Sequence, residues 1–298
     1  MQTPVQSFHA TNPLVVCTLL MLATSTYCFV MGFLTGNYSK VDQLWSILPV
    51  VYSIIFAASS RWNSRLTVMA VLATLWGLRL TYNFARKGGY NGEEDYRWLV
   101  IRNIINNRVF FEIFNLIFIS LFQNILLLLI ALPSWAAYLN QEMPLNLVDL
   151  GALFLLVGSV LFETLADQEQ WVFQNEKHRL LSQKGAVPEP STDESIVRDY
   201  KRGFLTHGMF AFSRHPNFFF EQLVWWSYYL FAVAATGEVH WTIVGPVLLS
   251  MLFQGSTRFT EYITLEKYAI YKEYQKRVNM LLPWLPTAEE TDVGDKTE

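Results

Sequence analysis

The sequence predicts an all-α protein, a polytopic membrane helix bundle of about seven transmembrane helices. Hydrophobic residues make up 52% of the 298 residues, and they fall in continuous blocks and do not alternate as in strands. A helix needs about 20 apolar residues to cross a bilayer. Seven blocks come close to or exceed that length: 13–35, 44–59, 66–84, 110–132, 147–166, 218–236 and 241–257.

The distribution of positive charge predicts the orientation of this bundle. Every lysine and arginine except Arg61, Arg65 and Arg79 lies on one side of the predicted spans. That side belongs in the cytosol, which places the N-terminus in the lumen and the C-terminus in the cytosol. We expect residues 1–286 to form a single membrane domain, with a solvated excursion around 185–194 and a disordered polar tail over 287–298.

Composition excludes several classes of function. The net charge of −3 provides no basic surface for nucleic acid. Cys17 and Cys28 lie together in the first apolar block, so they form neither a disulfide framework nor a metal-binding spacing. The glycine-rich fingerprints of dinucleotide and phosphate loops are absent, as are the motifs of serine and zinc hydrolases. We therefore expect no metal site and no Rossmann domain.

The most informative segment is 212–221, which leads into the sixth apolar block. Arg214, His215, Asn217 and Glu221 are costly groups at the mouth of a membrane helix, so they are candidates for a functional site. Pro216 is suited to the first position of that helix. The alternative is that the first two side chains anchor the helix at the interface and the glutamate pairs with an arginine.

A second polar cluster ends the fifth apolar block. Glu163 and Asp167 are four residues apart and share one helical face. Ionised carboxylates only accept hydrogen bonds, which suits ribose hydroxyls or an amide. The alternative is that Asp167 and Glu169 are simply solvated at a helix end, although Glu163 lies about one turn inside the apolar region.

Two further patterns leave alternatives open. Lys267, Tyr271, Tyr274 and Arg277 define an aromatic and basic face near the C-terminus, which could bind phosphate or lie on the membrane surface. Asp42, before the second block, could be functional or only a helix cap.

Five motifs, in their order and spacing, resemble the steroid 5-alpha reductase C-terminal-like superfamily. The most similar branch consists of membrane proteins with the motifs V-D-x-x-W, W-x-x-R-L, E-D-x-R-[YW], E-x-x-A-D-x-Q and S-R-H-P-N-Y-F-G-E. These motifs correspond here to residues 41–45, 76–80, 94–98, 163–169 and 213–221. The resemblance covers most of residues 41–286.

This resemblance implies binding of NADPH on the cytosolic side of a membrane bundle and hydride transfer to a carbon–carbon double bond of a lipid. It also implies a location in the endoplasmic reticulum. Asn217 and Glu221 would hold the nicotinamide end, together with polar contacts from Glu163 and Asp167. We expect these four side chains to converge on one water-accessible hollow. The remaining predicted cofactor contacts, with the phosphates among their targets, are Arg214, His215, Tyr271, Tyr274 and Arg277.

The sequence departs from the family pattern at three positions: Phe218 replaces a tyrosine, Phe220 a glycine and Glu169 a glutamine. The catalytic Glu/Tyr pair of the steroid reductases has no matching position here. The reduction also requires a proton donor, for which the candidates are Asp42, Tyr82, Asp95 and Tyr96.

Two other functions remain open at this stage. The same signature resembles that of membrane methyltransferases that use S-adenosylmethionine. The two phenylalanines that depart from the signature, Phe218 and Phe220, would also suit a catalytically inactive lipid-binding protein.

Overall fold

The computed structural model describes residues 12–183 and 193–287. All regular secondary structure in the described part of the chain is helical, and this part contains no strand. Its α-helices are α1 Pro13–Thr35, α2 Lys40–Leu44, α3 Leu48–Ser59, α4 Ser64–Arg86, α5 Tyr96–Ile105, α6 Arg108–Phe114, α7 Gln123–Ala131, α8 Pro133–Leu139, α9 Leu147–Ser182, α10 Glu194–Arg202, α11 Pro216–Thr236, α12 Val244–Lys267 and α13 Tyr271–Arg277. A π-helix spans Asn115–Phe122, and 3-10 turns span Gly208–Ala211 and Trp241–Ile243. Most of the predicted excursion at 185–194 and nearly all of the predicted tail at 287–298 lie outside the described residues.

The prediction of an all-α membrane protein is confirmed, because every predicted apolar block is helical. Among the described residues, five helical segments are long and apolar enough to cross a membrane: Pro13–Thr35, Lys40–Ser59, Ser64–Arg86, Arg108–Ala131 and Leu147–Ser182. The predicted count of seven spans is not confirmed. The helices over the last two blocks, α11 and α12, include Asn, Gln, Glu and Arg side chains that lower their mean hydropathy.

Short polar side chains cap the N-termini of four helices. Asn12, Asn63, Asp95 and Asn107 each accept a hydrogen bond from a backbone N–H of the first turn of α1, α4, α5 and α6, respectively. These contacts satisfy N–H groups that a helix start leaves without partners. Gly36 ends α1 in a left-handed conformation with φ 68°, which glycine adopts without strain.

The chain forms two compact units. Unit 1 comprises Met1–Val157 and Val224–Met251, and unit 2 comprises Gly158–Leu223 and Leu252–Glu298. The expectation of one membrane domain over 1–286 stays a prediction.

The core of unit 1 combines close helix packing with buried polar contacts. Gly77 of α4 allows close approach, because a Cβ there would lie 2.6 Å from the carbonyl oxygen of Ser46. Arg65 and Asp149 form a buried two-pronged ion pair with N–O distances of 2.8 and 2.9 Å. An arginine matches a carboxylate well in this geometry, so the pair joins the starts of α4 and α9.

A chain of hydrogen bonds runs along the π-helix of unit 1. The Tyr38 hydroxyl donates to Glu112 at 2.6 Å, and Asn115 donates to the other carboxylate oxygen at 3.1 Å. Ser120 then donates to Asn115 at 3.1 Å, five residues apart, and Asn124 donates to the Ser120 carbonyl at 2.7 Å. The sequence shows only isolated polar residues in an apolar block. The π-helical turn brings Asn115 and Ser120, five residues apart, into hydrogen-bonding distance. Through Glu112, these polar contacts connect Tyr38 to the helical run 108–131.

Unit 2 is held by two aromatic clusters. The first consists of Ala166, Phe173, Leu205 and Phe210, with Tyr200 and Met209 packed against it. The second consists of Phe204, Tyr271, Tyr274 and Val278, with Leu265 and Tyr268 packed against it. Because Leu205 and Phe204 are adjacent, the segment after α10 joins α9 to α13.

Candidate functional site

Two family motifs of unit 1 bind each other. The Trp98 indole donates to Asp42 at 3.0 Å, and the Asp95 backbone N–H donates to the Ser39 hydroxyl at 2.9 Å. Asp42 is not the cap of α2, because Ser39 occupies that position. These contacts hold the segment 41–45 against the segment 94–98. The two motifs are therefore explained by structure within unit 1.

The four candidate proton donors all lie in unit 1. Asp95 caps α5 and forms an ion pair with Arg97 at 2.8 Å. Burial raises the pKa of the Asp95 carboxyl, but the hydrogen bonds and charge of Arg97 outweigh burial and hold it below its ordinary value. The role of Asp95 as a proton donor stays a prediction. Tyr82 and Tyr96 are 67% and 52% exposed.

In unit 2, the first half of the signature, residues 213–215, is hydrogen-bonded to the segment 279–281 that follows α13. The backbone N–H groups of Arg214 and His215 donate to the carbonyls of Asn279 and Met280 at 2.9 and 3.1 Å. The Ser213 hydroxyl donates to the carbonyl of Leu281 at 2.7 Å. The segment after α13 thus runs beside 212–215 and fixes its backbone.

The Arg214 side chain is enclosed by this arrangement. It donates to both carboxylate oxygens of Glu261, at 2.6 and 2.9 Å, and to the backbone carbonyls of Gln275 and Val278. Four of its five N–H donors are used in these bonds. His215 also contacts Glu261, with 3.0 Å between Nε2 and Oε1.

Glu261 is therefore the centre of the first half of the site. Tyr271 and Gln275 donate to it as well, at 3.2 and 2.8 Å. Burial raises the pKa of the Glu261 carboxyl, but hydrogen bonds from His215 and Arg214 outweigh burial and lower it to about 2. The carboxylate remains charged at any physiological pH and balances the buried guanidinium. Sequence reasoning did not assign it this role.

The second half of the signature meets the carboxyl side chains in the middle of α9, just past the apolar block 147–166. Asn217 Nδ2 donates to Asp167 Oδ1 at 3.3 Å. Glu163 lies one turn before Asp167 on α9, and Glu221 lies one turn after Asn217 on α11. The three carboxyl side chains are buried, with exposures of 3%, 4% and 4% for Glu163, Asp167 and Glu221. The structure thus brings Asp167 and Asn217 together between two i,i+4 pairs.

The C-terminal aromatic residues lie elsewhere in unit 2. Tyr271 and Tyr274 share one face of α13, as predicted, but that face is buried against Phe204 and does not lie on a surface. The Tyr274 hydroxyl donates to the carbonyl of Phe210. Arg277 is half-buried in the last turn of α13. Phosphate contacts of these residues and of Arg214 stay predictions. The polar atoms of both tyrosines and of Arg214 already bind Glu261 or backbone carbonyls.

The three departures from the family pattern are accommodated by packing. Phe218 contacts Phe253 edge-on at 5.1 Å between ring centroids, and its other neighbour is the His215 ring at 5.5 Å. Phe220 stacks on Phe162 of α9 at 5.2 Å. Glu169 accepts a hydrogen bond from the Met209 backbone N–H at 2.9 Å.

A buried aspartate organises the loop before the signature, and sequence reasoning missed it. Asp199 is fully buried and accepts hydrogen bonds from the backbone N–H and hydroxyl of Thr206, at 2.6 and 2.7 Å. Nδ1 of His207 lies 2.5 Å from the same carboxylate. In the sequence, Asp199 is one of several charged residues in 193–202, and nothing there indicates its contact with Thr206 and His207. Its effect is to hold the loop that carries Gly208 and Met209.

These observations define a helical integral membrane protein. Buried carboxyl groups from α9 and α11 cluster near the amide of Asn217, at the start of α11. The family model for DUF1295, a protein of unknown function, matches residues 28–278. The chain belongs to this family, which is part of the steroid 5-alpha reductase-like superfamily. The superfamily resemblance is thereby confirmed, and the branch with the S-R-H-P-N signature stays a prediction.

One curated relative is an uncharacterized protein of Schizosaccharomyces pombe, C594.04c. It is 40% identical over 285 residues, which cover 93% of this chain and 82% of the relative. No solved structure matches the chain.

Proposed function

We propose that the protein is a membrane oxidoreductase that transfers a hydride from NADPH to a carbon–carbon double bond of a steroid, isoprenoid or other lipid. The observation that carries this proposal is the contact between Asp167 and Asn217, which joins the middle of α9 to the start of α11. Membership of the superfamily supports the reaction class.

The donors and acceptors of this cluster fit a nicotinamide and its ribose. Asn217 donates one amide N–H to Asp167. The amide oxygen of Asn217 then remains as an acceptor for the N–H of the nicotinamide carboxamide. Glu163 and Glu221 are further acceptors for N–H or O–H groups. When bound, NADPH would supply the hydride. The residues of the chain would hold the carboxamide in one orientation and keep water from the reacting face.

The anionic end of the cofactor fits less directly, because Arg214 has one N–H donor left. Phosphate binding would therefore depend on other cations of unit 2. This makes the nicotinamide end the decisive place for a test.

Ligand-dependent unfolding of the full-length protein in detergent is that test. A ligand that binds only the folded state raises the unfolding temperature with its concentration. We expect NADPH to raise it, and Asn217→Ala or Glu221→Gln to abolish the shift. The matched controls are Asn175→Ala and Glu176→Gln on the exposed part of α9, which should retain it.

An NADPH shift that both site variants retain would contradict the assigned site. Failure of NADPH to stabilise the wild-type protein would contradict the reductase proposal itself.

A second candidate function is methyl transfer from S-adenosylmethionine. The observation in its favour is the cluster of three buried carboxyl groups, because a sulfonium cofactor is cationic near its reacting centre. Stabilisation by S-adenosylmethionine and not by NADPH would establish this alternative. Stabilisation by neither cofactor would favour a catalytically inactive lipid-binding protein, in which Phe218 and Phe220 serve only packing.

We also propose that the protein resides in the endoplasmic reticulum, with its N-terminus in the lumen and its C-terminus in the cytosol. The concentration of lysine and arginine on one side of the spans supports the orientation, and membership of the superfamily supports the organelle. Glycosylation-site tags at each terminus test it: only the N-terminal tag should be modified.

A further inference from the structure

An open pocket of about 390 Å³ lies in unit 2, beside the signature but separate from the Asp167–Asn217 contact. Its walls come from α9, the 3-10 turn and the start of α11, and they include Phe162, Leu165, Glu169, Phe212, Pro216 and Phe220. Its volume lies within the range of about 300–1,000 Å³ that is typical of small-molecule sites. Two of these residues, Glu169 and Phe220, are among the three positions at which the sequence departs from the motif pattern that it resembles.

The pocket is polar at one end and apolar at the other. Phe162, Leu165 and Glu169 follow one another along α9, and seven residues of helix advance by about 10 Å. The apolar rings lie toward the membrane span 147–166, and the carboxylate lies beyond its end. An amphipathic molecule would therefore bind with its chain along Phe162 and its head at Glu169.

The carboxylate of Glu169 is held in place by the backbone. Its Oε2 accepts the Met209 N–H at 2.9 Å. Gly208, with φ +60°, makes this approach possible, because a Cβ there would lie 2.4 Å from Oε1. The Asp199 contacts with Thr206 and His207 fix the loop that carries both residues. The acceptor is therefore positioned before a ligand arrives.

The carboxyl group of Glu169 determines which head groups fit. Its oxygens are placed as hydrogen-bond acceptors, so a carboxylate or phosphate head against them would meet acceptors where it needs donors. A neutral hydroxyl can donate to these oxygens, and burying a hydroxyl costs less desolvation than burying an ammonium group. Gln168 also lines the pocket.

We infer that this pocket binds a membrane lipid with a neutral hydroxyl head and an apolar body, and that it rejects anionic lipids. The apolar body packs on the stacked rings of Phe162 and Phe220, and the hydroxyl donates to Glu169. Binding at this site does not require the nicotinamide cofactor.

The test is photolabelling of the full-length protein in phosphatidylcholine nanodiscs without added cofactor. The probes are a hexadecanol with a mid-chain diazirine and the matched hexadecanoate and hexadecylammonium. We expect the alcohol to label peptides within 162–169 or 209–220. The carboxylate should label them about tenfold less, which corresponds to about 1.4 kcal/mol.

Two variants isolate the parts of the pocket. Phe220→Trp should fill the pocket and abolish labelling, whereas Phe219→Trp, whose ring is outside the lining, should leave it intact. Glu169→Gln should keep alcohol labelling, because the amide oxygen still accepts, and should raise labelling by hexadecanoate. Unfolding temperatures verify that each variant is folded.

Equal labelling by alcohol and carboxylate in the wild-type protein would overturn the inference, as would labelling confined to other helices. Stronger labelling by the ammonium probe than by the alcohol would overturn the preference for a neutral head. The experiment is independent of the proposed reductase function, because labelling can succeed where the NADPH shift fails.

Discussion

The two halves of segment 213–221 differ in what their polar groups contact. The Ser213 hydroxyl donates to the segment after α13. The side chains of Arg214 and His215 contact the carboxylate of Glu261. Asn217 makes a single 3.3 Å contact, with Asp167 in the middle of α9. In the first half, internal partners use all but one of the N–H donors of Arg214, whereas the amide of the second half keeps an acceptor for a ligand.

This difference shows that a short charged signature can combine two tasks. An arginine whose donors are mostly used stabilises the protein and cannot bind a phosphate without losing those bonds. An amide held by one contact is oriented and still able to bind. The following variants test whether stability and ligand binding separate along this boundary.

Removal of Glu261 should have the largest effect. Glu261→Ala leaves the guanidinium of Arg214 buried without its counter-charge, which costs about 3–5 kcal/mol in the free energy of unfolding. Glu273→Ala is the matched control on α13, because the Lys276–Glu273 pair is exposed and contributes about 0–1 kcal/mol. Denaturant titration in detergent measures both. Equal losses in the two variants would refute the structural role of the first half.

Glu261 should also make the free energy of unfolding depend on pH in the acidic range. The pKa of Glu261 is about 2 in the folded protein, below its ordinary value of 4.5, so the folded state favours the ionised form. Its stabilisation is complete above about pH 4.5 and is lost as the pH falls toward about 2, on the order of 3 kcal/mol in total. Unfolding free energies at pH 5 and at about pH 3 should differ more in the wild type than in Glu261→Gln. An identical decrease in both would assign the acid sensitivity to other groups.

The fold could be predicted from the sequence because lipid leaves a long apolar block few options. A chain in the bilayer must satisfy its own backbone, and a helix does so within one segment. The extent of α9 was underestimated, since the block 147–166 continues as a polar helix to Ser182. Hydropathy predicts where a helix is apolar, and it does not indicate where the helix ends.

The site could be predicted only in part. Glu163 and Asp167, and likewise Asn217 and Glu221, share helical faces by their spacing, so their proximity could be expected. The partner of Arg214 could not, because Glu261 lies 47 residues later and many acids are closer in sequence. The same applies to Tyr274, whose hydroxyl bonds a carbonyl 64 residues earlier. Spacing predicts neighbours on one helix, and pairing between helices depends on packing.

Truncation of Asn217 should affect ligand binding more than stability. Asn217→Ala removes one hydrogen bond, which costs about 1 kcal/mol. It should also remove the stabilisation by NADPH, which is about 2.7 kcal/mol at a hundredfold excess over the Kd. Unfolding curves with and without NADPH measure both quantities. If Asn217→Ala retains the NADPH shift while Glu261→Ala, compared at matched folded fraction, loses it, the two halves have the opposite roles.

The smallest effect should come from Tyr274→Phe. The substitution keeps the ring packed against Phe204 at 5.8 Å between centroids and removes only the hydroxyl that donates to the Phe210 carbonyl. The carbonyl then lies buried without this donor, and the loss should be about 1 kcal/mol in the free energy of unfolding. The NADPH shift should be unchanged, because this tyrosine serves the structural half. A normal stability combined with a lost NADPH shift would show instead that the Tyr274 hydroxyl contacts the cofactor, as the family resemblance implies.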